Sequence, residues 1–330
     1  MEQRALGRTG RQVSIVGLGT WQLGADWGEV SERDALAVLD ASAEGGVTIF
    51  DTADVYGDGR SETIIGSWLR SNPEWGGTVI TKMGRRLPAQ MHEGYSPENF
   101  RSWIDRSRRN LGLDTIPLVQ LHCPPSSVYS DTAVYDALDS LVGDGSIQAY
   151  GVSVERVSEA LEAISHPGVQ SVQIILNAFR LKPLDDVLPA AIEAETAIIA
   201  RVPLASGLLS GRYDATTQFA ANDHRNYNRN GAAFDVGETF SGVDYEVGVE
   251  AAREFAALVA EHVPGATPAQ AAIAWVAAQP GVTTVIPGAR SVEQAASNAA
   301  AGEIREPAAF LTAVANLYDS RIRASVHDKW

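Results

Sequence analysis

Eight times along this chain a short apolar run gives way to a segment of helical periodicity, and that alternation restricts the fold more than any other feature. The runs are Ser14–Gly19, Val47–Phe50, Thr78–Thr81, Ile116–Leu121, Ala149–Ser153, Val169–Leu176, Ala197–Ala200 and Val282–Ile286. Strands alternating with helices pair in parallel, and eight such units point to a closed (β/α)8 barrel, an α/β fold of the TIM-barrel type. Ahead of them, Arg4–Val13 has two glycines between half-apolar arms and reads as an N-terminal β-hairpin. Ser31, three residues before Asp34, caps a first helix, and Ser96-Pro97-Glu98 opens another that closes at Gly112. Extra helices are expected after strands 7 and 8, at Glu246–His262, Pro268–Gln279, Val292–Ala300 and Pro307–Ser320. An open doubly wound sheet is the competing architecture. Its dinucleotide fingerprint is nearly present in Gly17-Leu-Gly19-Thr-Trp-Gln22, but Gln22 stands where the third glycine belongs and no helix starts there. No break in composition marks a second domain, so residues 1–330 read as one.

Composition narrows the function. The net charge of −15 disfavours binding to a phosphate backbone, so nucleic acid is not an expected partner. One cysteine, Cys123, excludes an internal disulfide and a multi-cysteine zinc site, and no metal is expected. Neither a secretory leader nor an apolar run approaching the ~18 residues of a membrane span is visible, which predicts a cytoplasmic protein with no membrane partner.

Active sites of such barrels lie at the C-terminal ends of the strands. Thr20 and Trp21 stand at the first of those ends, Asp51 with Tyr56 at the second, Lys82 at the third and His122 at the fourth. Each alone has an ordinary structural reading: a turn-capping acid, a surface aromatic, a solvent-reaching lysine, a core histidine. Convergence of an acid, a phenol, an amine and an imidazole on one mouth is hard to explain by stability. Cys123 is read as a small buried filler, since Pro124-Pro125 locks the chain beside it. The polar segment 206–243 is too long for a connector and reads as a lid, with a disordered insertion as the alternative.

Seven segments carry a resemblance: Gly17–Trp21, Phe50–Gly57, Ile80–Lys82, Gln120–Cys123, Gly151–Ser153, Pro203–Leu209 and Ile286–Ser291. In that order the chain resembles the aldo-keto reductase superfamily. The resemblance implies an oxidoreductase acting on CH–OH donors, reducing an aldehyde or ketone with hydride from NADPH. Tyr56 would be the general acid, Lys82 the cation that lowers its pKa, Asp51 the partner of Lys82, and His122 the group that orients the carbonyl. A histidine there, where related steroid double-bond reductases carry an acid, favours carbonyl chemistry.

Cofactor contacts are implied at Gly19, Thr20 and Asp51, and at Ser153 and Gln173, which match positions holding the nicotinamide carboxamide. Val154 replaces the Asn usual after that serine. Arg201 and Val202 stand where an aromatic ring commonly stacks on the nicotinamide, and Arg201 is expected to pack on the ring or reach the pyrophosphate. Pro203, Leu204, Gly207 and Leu209 would line the pyrophosphate path, with Arg212 near the phosphates. Gly288, Arg290, Gln294 and Asn298 match the adenosine end. Arg290 suits a ribose 2′-phosphate, so NADPH is expected over NADH. Trp21 and Trp27 are candidate walls for a small carbonyl substrate, beside Tyr56 and His122. The rival readings are a slow redox-sensing subunit resembling potassium-channel β subunits, and a Schiff-base lyase using Lys82.

Overall fold

The computed structural model describes residues 1–24, 30–220, 223–233 and 235–330. Two short antiparallel strands, β1 (Gln3–Ala5) and β2 (Gln12–Ser14), form the expected hairpin. Gly7 turns it with φ +57, and a Cβ there would collide with the backbone carbonyl of Gln170. Eight strands then run in parallel order: β3 (Leu18–Gly19), β4 (Ile49–Asp51), β5 (Thr78–Met83), β6 (Leu118–His122), β7 (Tyr150–Ser153), β8 (Val169–Ile175), β9 (Ala197–Arg201) and β10 (Val282–Val285). Bridges Val16–Val285 and Gly19–Gly288 join the first of these to the last and close the ring. The first strand is shorter than its apolar run suggests. Gly17 sits so near β4 that a Cβ would lie 2.7 Å from Ile49, and on its other side its amide donates to the Val285 carbonyl at 2.7 Å.

The helices are α1 (Glu32–Glu44), α2 (Arg60–Ser71), α3 (Pro97–Leu111), α4 (Thr132–Gly143), α5 (Val157–Ile164) and α6 (Val187–Glu193). They are followed by α7 (His224–Tyr227), α8 (Tyr245–His262), α9 (Pro268–Ala277), α10 (Val292–Ala300), α11 (Ala308–Arg321) and α12 (Arg323–Val326). Ser31 and Ser96 accept the amides of Asp34 and Asn99 as caps, and Gly112 ends α3 in the left-handed region at φ +67. The extra helices fall after the seventh and eighth barrel strands, as the periodicity predicts.

Two apolar layers fix the strand carrying the acid. Inside the barrel, Leu6 and Val13 of the hairpin pack with Ile49, Ile80, Leu118, Ala149, Ala197, Ile199 and Ile286, plugging its base. Outside β4, Phe50 stacks on Trp75 at 4.3 Å and meets Trp68 edge-on at 5.2 Å. The Trp68 indole donates to Asp40 at 2.7 Å. Asp51 therefore leaves a strand clamped on both faces. Among the described residues no helix is long and apolar enough to cross a membrane.

Candidate active site

Above the plug the barrel interior turns polar, and its side chains form one hydrogen-bonded path. Gln120 donates to Ser171 Oγ at 2.9 Å and accepts from Gln173 Nε2 at 2.9 Å. Gln173 Nε2 also donates to Asp51 Oδ1 at 2.8 Å. Lys82 Nζ completes the path, donating to Asp51 Oδ2 at 2.7 Å, to the Thr52 carbonyl at 2.9 Å and to Tyr56 Oη at 3.2 Å. All three ammonium hydrogens are thus used, in a side chain with no exposure. Burial presses Lys82 to shed its proton, but Asp51 and Tyr56 outweigh it and the pKa ends raised.

Tyr56 reaches this position because the chain reverses immediately after it. Gly57, Asp58 and Gly59 all have positive φ (58°, 52° and 94°), and a Cβ on Gly57 would strike the backbone of Gly24. Arg106 straps the loop, donating to the carbonyls of Asp54 (3.0 Å) and Asp58 (2.5 Å). His122 meets the Tyr56 ring edge-on, with centroids 5.9 Å apart, and Trp21 stacks on it at 6.0 Å.

Two opposed influences act on the phenol. Burial is the dominant influence on Tyr56 and raises its pKa; Lys82 opposes this without reversing it, and Asp51 adds to the rise. The phenol therefore keeps its proton at neutral pH. His122 is held well below the usual imidazole range, first by burial and then by the positive charges of Arg85, Lys82 and Arg201, so it is neutral near pH 7. Its Nδ1 is buried without a partner among the described residues. Cys123, next in the chain at φ +49, has its thiol raised to about 12 by burial, as befits a filler.

A cavity of about 670 Å³ opens over these groups and runs toward α10. Asp51, Tyr56 and His122 line it with Gly19, Thr20, Trp21 and Gln173, Gly288 lies alongside Gly19, and Arg290, Gln294 and Asn298 line it toward α10. Arg201, Pro203, Leu204, Gly207 and Arg212 line it as well. Ser153 and Leu209 are buried behind the wall rather than on it, as is Lys82. Both amide hydrogens of Gln173 are taken by Gln120 and Asp51, leaving its carbonyl oxygen for a ligand. Arg201 is held by carboxylates: Nη1 lies 2.8 Å from Glu238, and Nη2 lies 3.3 Å from Glu155 while donating to the Val154 carbonyl at 3.0 Å. Val202, β-branched yet at φ +55, bends the chain into the cavity wall. Trp27 lies outside the described residues.

Described residues of the segment 206–243 contribute to the mouth. Ser206 Oγ donates to the Glu238 carbonyl and accepts from the Phe240 amide, each at 3.0 Å, and Asn177 donates to Ser241 Oγ at 2.8 Å. Tyr213, Arg225 and Glu238 of this segment line the cavity, and sequence reasoning singled out none of them. Arg85 was missed too, although its place three residues beyond Lys82 at a strand end was a usable signal.

Asp54 is a buried acid that the path does not use. Both carboxylate oxygens lack partners, and burial, reinforced by Glu62, raises its pKa to about 7. The folded value lies above the unfolded 3.8, so the folded state binds the extra proton between them. Its contribution therefore lowers stability as pH rises from about 4 to 7 and is constant above that. Wild type should lose about 3 kcal/mol more than Asp54→Asn between pH 5 and pH 8. Thermal or urea unfolding of both at the two pH values measures this, and parallel curves would refute the assignment.

Comparison with known proteins agrees with this geometry. The model of the Aldo/keto reductase family matches residues 15–319. An uncharacterised oxidoreductase of Mycobacterium tuberculosis is 34% identical over 300 residues, covering 89% of this chain and 85% of that protein. A probable voltage-gated potassium channel subunit beta of Arabidopsis thaliana is 27% identical, covering 92% of each. Among solved structures, a glycerol dehydrogenase of Gluconobacter oxydans superposes with a TM-score of 0.80 at 26% identity, over 97% of this chain and 96% of that one. A closed parallel barrel, the four grouped side chains at its mouth and a family match along nearly the whole length lead to one conclusion: this chain belongs to the aldo/keto reductase family.

Proposed function

We propose that the protein reduces an aldehyde or ketone to an alcohol with NADPH, Tyr56 acting as the general acid. The observation that carries this reading is Lys82 Nζ bridging Asp51 (2.7 Å) and Tyr56 Oη (3.2 Å) in a cavity that His122 also lines.

The cavity suits a dinucleotide. Arg212 and Arg290 bring positive charge to its walls in a chain of net charge −15, which matches phosphates, while the Arg225 guanidinium is paired with Asp223. Gly19 leaves room where a Cβ would come within 2.9 Å of the Ile286 carbonyl. Gln173 and, through its backbone, Gly19 would hold the nicotinamide end, and Arg290, Gln294 and Asn298 the adenosine end. When bound there, the reduced nicotinamide supplies hydride to the carbonyl carbon. Tyr56 passes its phenolic proton to the carbonyl oxygen, so one hydride and one proton make the alcohol, and a solvent proton restores the phenol. Lys82, locked by Asp51, stabilises the phenolate that forms. Neutral His122 donates an N–H to the carbonyl oxygen and does not compete as an acid.

The test is loss of reduced-nicotinamide absorbance with a panel of carbonyl compounds, using NADPH and NADH in turn. Steady oxidation supports a reductase. Tight NADPH binding without turnover would instead favour the regulatory role that channel β subunits suggest. The Schiff-base alternative is countered by the ion pair, which keeps Lys82 protonated. Arg290→Leu should raise the KM for NADPH about 10- to 100-fold, the loss of a charge-assisted contact to the 2′-phosphate, and change that for NADH little. An equal effect on both would remove the 2′-phosphate from Arg290.

A further inference from the structure

At the same barrel mouth, four further side chains close a ring of alternating charge. Arg85 follows β5, Glu155 follows β7, Arg201 ends β9, and Glu238 belongs to the segment 206–243. Around the ring, Arg85 meets Glu155 at 2.9 Å, Glu155 meets Arg201 at 3.3 Å, Arg201 meets Glu238 at 2.8 Å, and Glu238 meets Arg85 at 3.5 Å. Two cations and two anions cancel, and each carboxylate serves both guanidinium groups. Glu155 lies off the cavity wall, whereas Arg85, Arg201 and Glu238 line it with Tyr56, His122 and Trp21. The Arg85–Glu238 edge is the longest of the four, and the Arg85 side chain keeps 25% of its surface exposed. A loosely joined donor and acceptor thus stand side by side on the wall of the cavity that Tyr56 also lines.

We propose that the Arg85–Glu238 edge determines specificity, selecting carbonyl compounds that carry a hydroxyl group on a neighbouring carbon. The proposal rests on the reductase reading and names its substrate class. A hydroxyl inserted at the 3.5 Å edge accepts from Arg85 and donates to Glu238, leaving the ring neutral. An alkyl group in the same place strips water from both charges and returns no hydrogen bond. A carboxylate would face Glu238 and an ammonium Arg85, each unbalancing a neutral ring. Burial opposes ionisation of Glu238, yet Arg201 and Arg85 outweigh it and keep that carboxylate an acceptor, whereas burial and then Glu238 hold the Glu155 carboxyl above its ordinary range despite Arg201 and Arg85.

The test compares kcat/KM for glyceraldehyde, propanal and glyoxylate with NADPH in wild type, Arg85→Met, Arg85→Lys and Glu238→Gln, each first checked for cooperative thermal unfolding. Wild type should favour glyceraldehyde over propanal by about 10-fold or more, the return of one well-placed hydrogen-bonding contact. The ratio should fall toward the intrinsic reactivity ratio in Arg85→Met and Glu238→Gln, and only partly in Arg85→Lys. A ring that merely braces the loop would lower both rates together and leave the ratio where it was. Propanal equal to glyceraldehyde in wild type, glyoxylate preferred over both, or a ratio unchanged in the variants would each overturn the proposal. If wild type turns over no carbonyl compound, the reductase reading fails by itself. Tryptophan fluorescence would then compare binding of 1,2-propanediol and 1-propanol, and a diol that binds no tighter sinks the specificity edge as well.

Discussion

Lys82→Met should cost the fold about 3–5 kcal/mol, because it removes one half of a buried ion pair and strands the other. Asp51 is 2% exposed and Lys82 not exposed at all, so no water replaces the missing ammonium. Three acceptors lose their donor together: Asp51 Oδ2, the Thr52 carbonyl and Tyr56 Oη. Adding Asp51→Leu takes away the stranded charge and should restore part of the loss. Restoration stays incomplete because Gln173 Nε2 then loses one of its two acceptors. Urea unfolding of the two variants measures both steps, and a single-variant loss below about 1 kcal/mol would mean that the pair is not a buried charge pair. Neither variant should reduce carbonyl compounds, since the first lacks the cation beside the phenol and the second lacks the whole pair.

That pair was legible in the sequence for a simple reason. Asp51 and Lys82 end apolar runs whose limits are sharp, and a closed parallel barrel sends every such end to the same mouth. Tyr56 was legible through the glycines after it, which mark a tight reversal. The charge ring was not. Glu238 sits in a segment with no periodicity, and its position depends on Ser206, more than thirty residues earlier, which accepts and donates across the loop. The same loop holds Ala205, Ser206, Phe240 and Ser241 at positive φ, against their local preferences, so nothing nearby in the chain announces the turn. Arg201 shows a further limit: family likeness sets it near the nicotinamide, while its guanidinium is engaged by Glu238 and Glu155, which no alignment of motifs reveals. The direction of the Tyr56 shift was equally hidden, since a sequence names Lys82 as a neighbour but does not weigh it against burial.

Tyr56→Phe should lower kcat for carbonyl reduction by about 10²- to 10⁴-fold, the usual contribution of a positioned proton donor. Phenylalanine keeps the ring that Trp21 stacks on and that His122 meets edge-on, so the cavity should retain its shape. Lys82 keeps Asp51 and the Thr52 carbonyl as acceptors, and the fold should lose only about 1 kcal/mol. Cofactor affinity, followed by fluorescence, should change little, because the lost hydroxyl is bonded to Lys82 inside the protein. The phenol pKa is raised above its ordinary value, so the protonated acid persists through neutral and mildly alkaline pH. Reduction by the wild type should therefore show no acid-group loss below the usual range of a tyrosine, and a fall in kcat near pH 7 to 8 would point to a different donor. A Tyr56→Phe enzyme with near-native turnover would take the proton from the phenol altogether and leave His122 as the group to test next.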